Sequence, residues 1–239
     1  MKLLREILYK VEINSVIGSS SLSINKIEFD SRLISDGDMY IAITGVNVDG
    51  HSFISQAIKN GANCIVCEKI PDNKTDGVVY VNVKSSRKAL AIISSNYFDN
   101  PSSKLNLIGV TGTNGKTTIA TLLFDLYTEL EIKSGLISTV KISYDNKNFQ
   151  ANQTTPDSLS INRFLSEMVN SNVRYCFMEV SSHGIDQNRT DGLIFKGGIF
   201  TNLTHDHLDY HESFENYRDT KKLFFDSLSN NSFALTNND

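Results

Sequence analysis

The stretch Leu107-Ile108-Gly109-Val110-Thr111-Gly112-Thr113-Asn114-Gly115-Lys116-Thr117-Thr118 decides the fold. The apolar run Leu105 to Val110 reads as a buried strand, and Lys116 to Leu130 reads as a helix. A glycine-rich segment therefore joins a strand to the N-terminus of a helix, where backbone amides are free to bind anions. Gly112 and Gly115 can take positive φ, which lets several N–H groups converge on one phosphate. The spacing predicts a phosphate loop formed by Gly112, Thr113, Asn114, Gly115, Lys116, Thr117 and Thr118. Lys116 would reach the β and γ phosphates, and the Thr117 hydroxyl would hold a bound Mg²⁺. One position departs from the usual G-x-x-x-x-G-K-[ST] spacing: Val110 stands where its first glycine falls. The competing reading is an ordinary glycine turn into a helix.

Downstream of the loop, strands and helices alternate as a parallel sheet with crossover helices requires. The run Leu136 to Ile142 is predicted as one strand. A helix opens at Thr155-Pro156, with Thr155 as N-cap and Pro156 in the first helical position, and Ile161, Phe164, Leu165, Met168 and Val169 supply its buried stripe. Strands follow at Tyr175 to Val180 and Gly197 to Asn202, then a helix near Phe214 to Leu228 and a strand at Phe233 to Thr236. Upstream, strand-like runs at Lys26 to Phe29, Met39 to Ile43, Cys64 to Cys67 and Val78 to Val83 alternate with helical stretches near Ser52 to Lys59 and Ser86 to Phe98. The turn-rich Asn100-Pro101-Ser102-Ser103 separates the two regions. The expected fold class is α/β: a small N-terminal α/β domain over residues 1–103, then a phosphate-loop-type parallel-sheet domain over 104–239.

Composition narrows the function. Hydrophobic residues are 40% and charged residues 21% of the 239, ordinary for a folded protein. A formal net charge of −4 argues against a general nucleic-acid binder, which needs clustered Lys and Arg. The N-terminal apolar stretch is broken by Arg5, Glu6 and Lys10, and no run approaches membrane-spanning length, so neither a leader nor membrane insertion is expected. Three cysteines, Cys64, Cys67 and Cys176, form an odd and sparse set that suits a reducing, cytoplasmic compartment. The spacing of Cys64 and Cys67 lies inside an apolar strand pattern, which favours core packing over metal binding.

Further polar groups gather at the predicted C-terminal ends of strands, the edge where open α/β sheets bind ligands. Glu179 is a candidate to complete a metal site beside the phosphates, since Mg²⁺ prefers oxygen ligands; a helix cap or a solvated acid is the alternative. The run Asn202-Leu203-Thr204-His205-Asp206-His207-Leu208-Asp209-Tyr210-His211 concentrates three histidines and two aspartates. A zinc site there finds no obvious third or fourth ligand elsewhere in the sequence, which leaves a single metal-contacting histidine as the better reading. On residue type alone, Lys221-Lys222 leave two readings open: plain solvated surface, the usual fate of a lysine pair, and a functional role.

Taken together, Gly112 to Thr118, Thr154-Thr155-Pro156-Asp157, Met178-Glu179-Val180-Ser181-Ser182-His183-Gly184 and Thr201 to His211 closely resemble the Mur ligases. Phe29-Asp30-Ser31-Arg32, Asp36 to Ala42 and Gly45-Val46-Asn47-Val48-Asp49-Gly50 resemble that family's uridine-nucleotide domain, so the likeness covers essentially the whole chain. It implies an ATP- and Mg²⁺-dependent amide ligase that phosphorylates the D-glutamate γ-carboxylate of UDP-N-acetylmuramoyl-L-Ala-D-Glu. A diamino acid, meso-diaminopimelate or L-lysine, then attacks the acyl phosphate. Carried over by position, the resemblance makes Lys116, Glu179, His207 and Lys221 catalytic, with Thr117, Glu179, His207 and a carbamylated Lys221 as metal contacts. Thr154, Thr155, Ser181, Gln187 and Arg189 would hold the muramoyl-dipeptide, and Phe29, Ser31, Val46, Asn47 and Val48 the uridine nucleotide. The family's usual tryptophan after the carbamylated lysine is Lys222 here.

Family members run to roughly twice this length, and their third, amino-acid-binding domain has no counterpart in the 239 residues, so the expectation is that this polypeptide alone does not complete the ligation. Two further readings stand beside the ligase: a non-catalytic module that binds a UDP-sugar or nucleotide, and a generic nucleotide hydrolase.

Overall fold

A computed structural model describes residues 1–45, 48–206 and 208–237. The chain divides into two compact units, residues 1–97 and 98–239. The 3-10 turn Pro101–Ser103 falls in the second unit, where it packs against that unit's first strand.

The first unit holds, in order, β1 (Lys2–Leu3), α1 (Leu4–Ile7), β2 (Ile13–Ile17), β3 (Ser23–Ile24), β4 (Ile27–Glu28), β5 (Asp38–Ile41), α2 (Ile54–Lys59), β6 (Ala62–Cys67), β7 (Val79–Val83) and α3 (Ser86–Tyr97). Among the described residues its main sheet runs β2-β7-β6-β5-β4, parallel except for β2 against β7, while β1 and β3 form a separate antiparallel pair. Ile65, Val66 and Cys67 are all buried, as a parallel strand covered on both faces requires. All three cysteines are buried free thiols, in keeping with the core-packing reading of Cys64 and Cys67.

The second unit contains β8 (Asn106–Thr111), α4 (Lys116–Glu129), β9 (Ser134–Ile137), β10 (Lys141–Tyr144), β11 (Lys147–Gln150), α5 (Ser158–Asn170), β12 (Tyr175–Glu179), α6 (Ser182–Asp186), β13 (Gly197–Phe200), α7 (Leu208–His211), α8 (Phe214–Asp226) and β14 (Phe233–Thr236). Among the described residues these strands form one sheet in the order β11-β10-β9-β12-β8-β13-β14. The five strands from β9 to β14 are parallel, and β10 and β11 add an antiparallel margin. Alternate residues of β8 serve opposite faces. Leu107 joins the core shared with α5 and α8, whereas Ile108 and Val110 pack with Ala120 of α4. Val110 is fully buried in that strand, so the position where the usual spacing has glycine is a core position here.

Two sequence readings are corrected. Leu136 to Ile142 is not one strand: it spans the end of β9, a turn, and the start of β10, whose Ile142 pairs antiparallel with Ile137. Ser138 closes that turn, its Oγ donating to the Lys141 carbonyl at 2.9 Å. The N-cap of α5 is Asp157 rather than Thr155; its carboxylate accepts from the Ser160 amide at 2.8 Å. The Thr155 hydroxyl is committed elsewhere, as described next.

Candidate functional site

The connection from β8 runs out to β9 on one side of it and the connection from β12 crosses to β13 on the other, so the crevice at the C-terminal end of β8 is a topological switch point. Glu179 pairs in register with Val110, and Phe200 with Thr111, so the ends of three strands meet at the glycine-rich loop. The loop departs at Gly112, with φ +146°, and enters α4 through Gly115, with φ +83°. A methyl group on Gly112 would stand 2.0 Å from Thr201 Oγ1.

The loop is held from the segment after β13. The Thr113 amide donates to the Asn202 carbonyl at 2.9 Å, and the Asn114 amide to Asn202 Oδ1 at 3.0 Å. Asn202 Nδ2 and Thr201 Oγ1 both donate to the Asn114 carbonyl, at 3.2 and 2.6 Å. The Thr113 hydroxyl accepts from the Thr204 amide at 2.9 Å. Each partner in this clamp of Thr113 and Asn114 by Thr201, Asn202 and Thr204 lies about ninety residues away, so no local sequence pattern announces it.

Lys116 folds over the loop, its Nζ donating to the carbonyls of Gly112 at 2.9 Å and Thr113 at 2.8 Å. Burial holds its ammonium below the ordinary lysine range, with Glu179 and Asp206 opposing. Lys221 reaches the same loop from α8, donating to the Gly112 carbonyl at 3.0 Å. It is 3% exposed, and burial first, then the charge of Lys116, pushes it down to about 7 against the pull of Asp206. The surface reading of the lysine pair is therefore half right. Lys222 faces solvent and pairs with Asp226 at 2.6 Å, whereas Lys221 is buried in the site.

Glu179 is fully buried at the end of β12. Its carboxylate accepts from Thr117 Oγ1 at 3.0 Å, the Thr139 amide at 2.8 Å and Thr139 Oγ1 at 3.2 Å. Thr139 lies in the turn between β9 and β10, within the run that the sequence predicts as one strand. The pairing of a hydroxyl and a carboxylate beside the glycine-rich loop is an oxygen-donor set of the kind that suits Mg²⁺. Among the described residues, no group of three His, Cys, Asp or Glu stands ready to cage a metal. His207 lies outside the described residues.

Thr155 links Glu179 to the next element: its hydroxyl donates to the Glu179 carbonyl and accepts from the Ser181 amide, both at 2.9 Å. Ser181 caps α6, accepting from the Gly184 amide at 3.1 Å. Thr154 accepts from Thr139 at 3.1 Å. The Arg189 guanidinium donates to the Thr155 carbonyl and Gln153 Oε1, each at 2.6 Å, and to Gln187 Oε1 at 2.7 Å. Thr154, Thr155, Ser181, Gln187 and Arg189 thus belong to one hydrogen-bonded cluster beside Glu179.

In the first unit, Ser31 is buried at the start of a 3-10 turn capped by Asp30, and its carbonyl accepts from Asn60 Nδ2 at 2.8 Å. Phe29 and Val48 are 36% and 57% exposed. His51 closes the nearby segment, its Nδ1 sharing a proton with Asp49 at 2.7 Å while its Nε2 accepts from the Glu68 amide at 2.9 Å. Val46 and Asn47 lie outside the described residues.

Residues 110–239 match the Mur ligase middle domain, and residues 23–98 match the Mur ligase family, catalytic domain. The chain belongs to the Mur ligase family. Among its relatives, the UDP-N-acetylmuramoyl-L-alanyl-D-glutamate–2,6-diaminopimelate ligase of Cytophaga hutchinsonii is 51% identical over 237 residues, 99% of this chain and 49% of that protein. The ligase of the same name from Clostridium tetani is 44% identical, over 98% of this chain and 49% of its own length. A solved structure of a ligase of that name superposes with a TM-score of 0.79 at 25% identity, covering 100% of this chain and 47% of the other. The chain spans about half the length of the relatives it matches. Among the described residues of this Mur ligase chain, no helix is long and apolar enough to cross a membrane.

Proposed function

We propose that this chain forms the nucleotide-handling half of a ligase that joins 2,6-diaminopimelate to UDP-N-acetylmuramoyl-L-alanyl-D-glutamate in peptidoglycan synthesis. The observation that carries the reading is the convergence of Lys116, Lys221 and the Thr117–Glu179 pair on one glycine-rich loop. The names and identities of the relatives support the substrate and the diamino acid. Residues 1–97 would take the uridine nucleotide, through Phe29, Ser31 and the segment at Val46, Asn47 and Val48. Residues 98–239 would take ATP.

In this mechanism the γ-phosphoryl group of ATP passes to the glutamate γ-carboxylate, releasing ADP. The diaminopimelate amine attacks the acyl phosphate carbon, loses a proton, and expels phosphate as the amide forms. Phosphoryl transfer asks a protein mainly for positioning and for neutralisation of charge. The amides of Gly112 to Thr118 would surround the phosphates, and Lys116 would leave the Gly112 and Thr113 carbonyls to follow the β and γ oxygens. Thr117 and Glu179, with His207, would hold Mg²⁺, whose contribution when bound is to neutralise developing phosphate charge. The cluster of Thr154, Thr155, Ser181, Gln187 and Arg189 would orient the acceptor carboxylate. Lys221 would bind carbon dioxide as a carbamate, exchanging a buried cation for an anionic oxygen ligand. Its burial and lowered pKa support that, since the neutral amine is the reactive form. Three free thiols suit the cytoplasm as the compartment.

Calorimetric titration tests the reading. The chain is expected to bind Mg-ATP and the UDP-dipeptide saturably, with Lys116→Ala weakening Mg-ATP at least tenfold and leaving the UDP-dipeptide unaffected. A folded chain that binds neither ligand would sink it.

A further inference from the structure

Tyr217 has no part in the family resemblance and is fully buried on α8, one turn before Lys221. Its Oη lies 3.1 Å from Thr113 Oγ1, and its ring centroid lies 4.6 Å from Lys221 Nζ. Three residues spaced along one face of α8 thus meet the end of β8 and its loop in sequence. Tyr217 touches Thr113, Lys221 donates to Gly112, and a side chain on Gly109 would strike Phe224 at 2.4 Å. The spacing of 217, 221 and 224 is that of a single helical stripe.

Hydrogen-bond accounting gives the tyrosine a direction. A threonine hydroxyl offers one proton and two acceptor sites. The Thr204 amide fills one acceptor site of Thr113 at 2.9 Å, and the Thr113 proton has the Thr204 carbonyl at 3.2 Å. Either hydroxyl can donate across the 3.1 Å contact, and this arrangement leaves the second acceptor site open to the Tyr217 proton. Thr113 is 6% exposed, so water does not replace that donor readily.

We propose that Tyr217 is a positioning residue for the phosphate loop: its hydroxyl, acting through Thr113, fixes the loop in its phosphate-binding shape while its ring sets the course of the Lys221 side chain. The proposal rests on the ATP reading above. It assigns α8 a second task, as the wall that holds the loop from the side opposite α4.

The test is a double-mutant cycle on Mg-ATP affinity, measured by calorimetry on the chain as it stands, with Lys116→Ala alongside. Tyr217→Phe keeps the ring and is expected to weaken Mg-ATP about tenfold, the scale of one buried hydrogen bond. Its melting temperature should stay within a few degrees of the parent. Thr113→Val removes that bond together with both bonds to Thr204 and should weaken binding further, and the double variant no more than Thr113→Val alone, since the Tyr217 hydroxyl acts through Thr113. Thr113→Ser keeps the hydroxyl and should recover most of the affinity that Thr113→Val loses. This serine rescue carries the test if Tyr217→Phe does not fold. Parent-like affinity in Tyr217→Phe, multiplying effects in the double variant, or a serine variant as weak as the valine one would overturn the proposal. Those outcomes differ from failure of the ATP reading, in which the parent does not bind or Lys116→Ala binds as well as the parent.

Discussion

Lys116 and Lys221 donate to the same acceptor: their Nζ atoms lie 2.9 and 3.0 Å from the carbonyl oxygen of Gly112. Two buried ammonium groups directed at one carbonyl form an environment that favours an anion over either cation alone. The consequence is a pH dependence of stability. Both lysines have folded-state values below their ordinary range, Lys221 at about 7. Between about pH 7 and the ordinary lysine range near 10.4 these two groups bind more protons in the unfolded chain than in the folded one, so their contribution to stability rises with pH, while the buried thiols, whose pKa values are raised, oppose it above about 8.5. In buffer stripped of carbon dioxide, the denaturation midpoint of residues 98–239 should climb from pH 7 to pH 9. Lys221→Met should flatten that climb and raise the midpoint at pH 7. A midpoint that falls over this range, or an unchanged slope in Lys221→Met, contradicts the assignment.

Gly112 and Gly115 both have positive φ, but only at Gly112 is there no room for a methyl group. Gly112→Ala would drive Cβ into Thr201 Oγ1, whereas at Gly115 the nearest atom is 3.8 Å away. Gly115→Ala should cost on the order of 1 kcal/mol through backbone strain alone. Gly112→Ala should cost roughly 2–3 kcal/mol, adding collision to strain, and reduce Mg-ATP binding more than tenfold. Equal effects from the two variants would mean that Thr201 does not shape the loop.

Asp157 caps a helix, whereas Thr155 belongs to the hydrogen-bonded cluster beside Glu179. Asp157→Ala removes the acceptor for the Ser160 amide and should lower the stability of residues 98–239 by about 1 kcal/mol, with Mg-ATP affinity unmoved. Thr155→Val removes the bridge between the Glu179 carbonyl and the Ser181 amide. It should weaken binding of the UDP-dipeptide severalfold, read by the same titration. Should Asp157→Ala be the variant that loses ligand binding, the division of labour between them is wrong.

These residues also show what could be read in advance. The strand, loop and helix around Gly112 were legible because glycine, lysine and threonine in that order serve few purposes other than holding phosphate. The hairpin between β9 and β10 was not, since Ser138-Thr139-Val140 carries no glycine, proline or asparagine to announce a turn. What closes it is the Ser138 side chain, together with Thr139 drawn toward Glu179. Thr155 followed by Pro156 has the composition of a helix start, yet its hydroxyl is spent on a neighbouring strand end and Asp157 takes the cap. The clamp from Thr201, Asn202 and Thr204 is tertiary, and no local pattern encodes a partner ninety residues distant. Val110 illustrates the reverse case: it departs from the usual motif because strand burial governs that position.

The three buried thiols bear on how opening of the chain can be followed. Burial raises the pKa of all of them, Cys67 to about 11, and a thiol that stays protonated and enclosed does not react with alkylating reagents. Cys64 and Cys67 sit in the first unit and Cys176 in the second. Native protein is thus chemically silent, and whichever cysteine first takes up a label names the unit that has come apart.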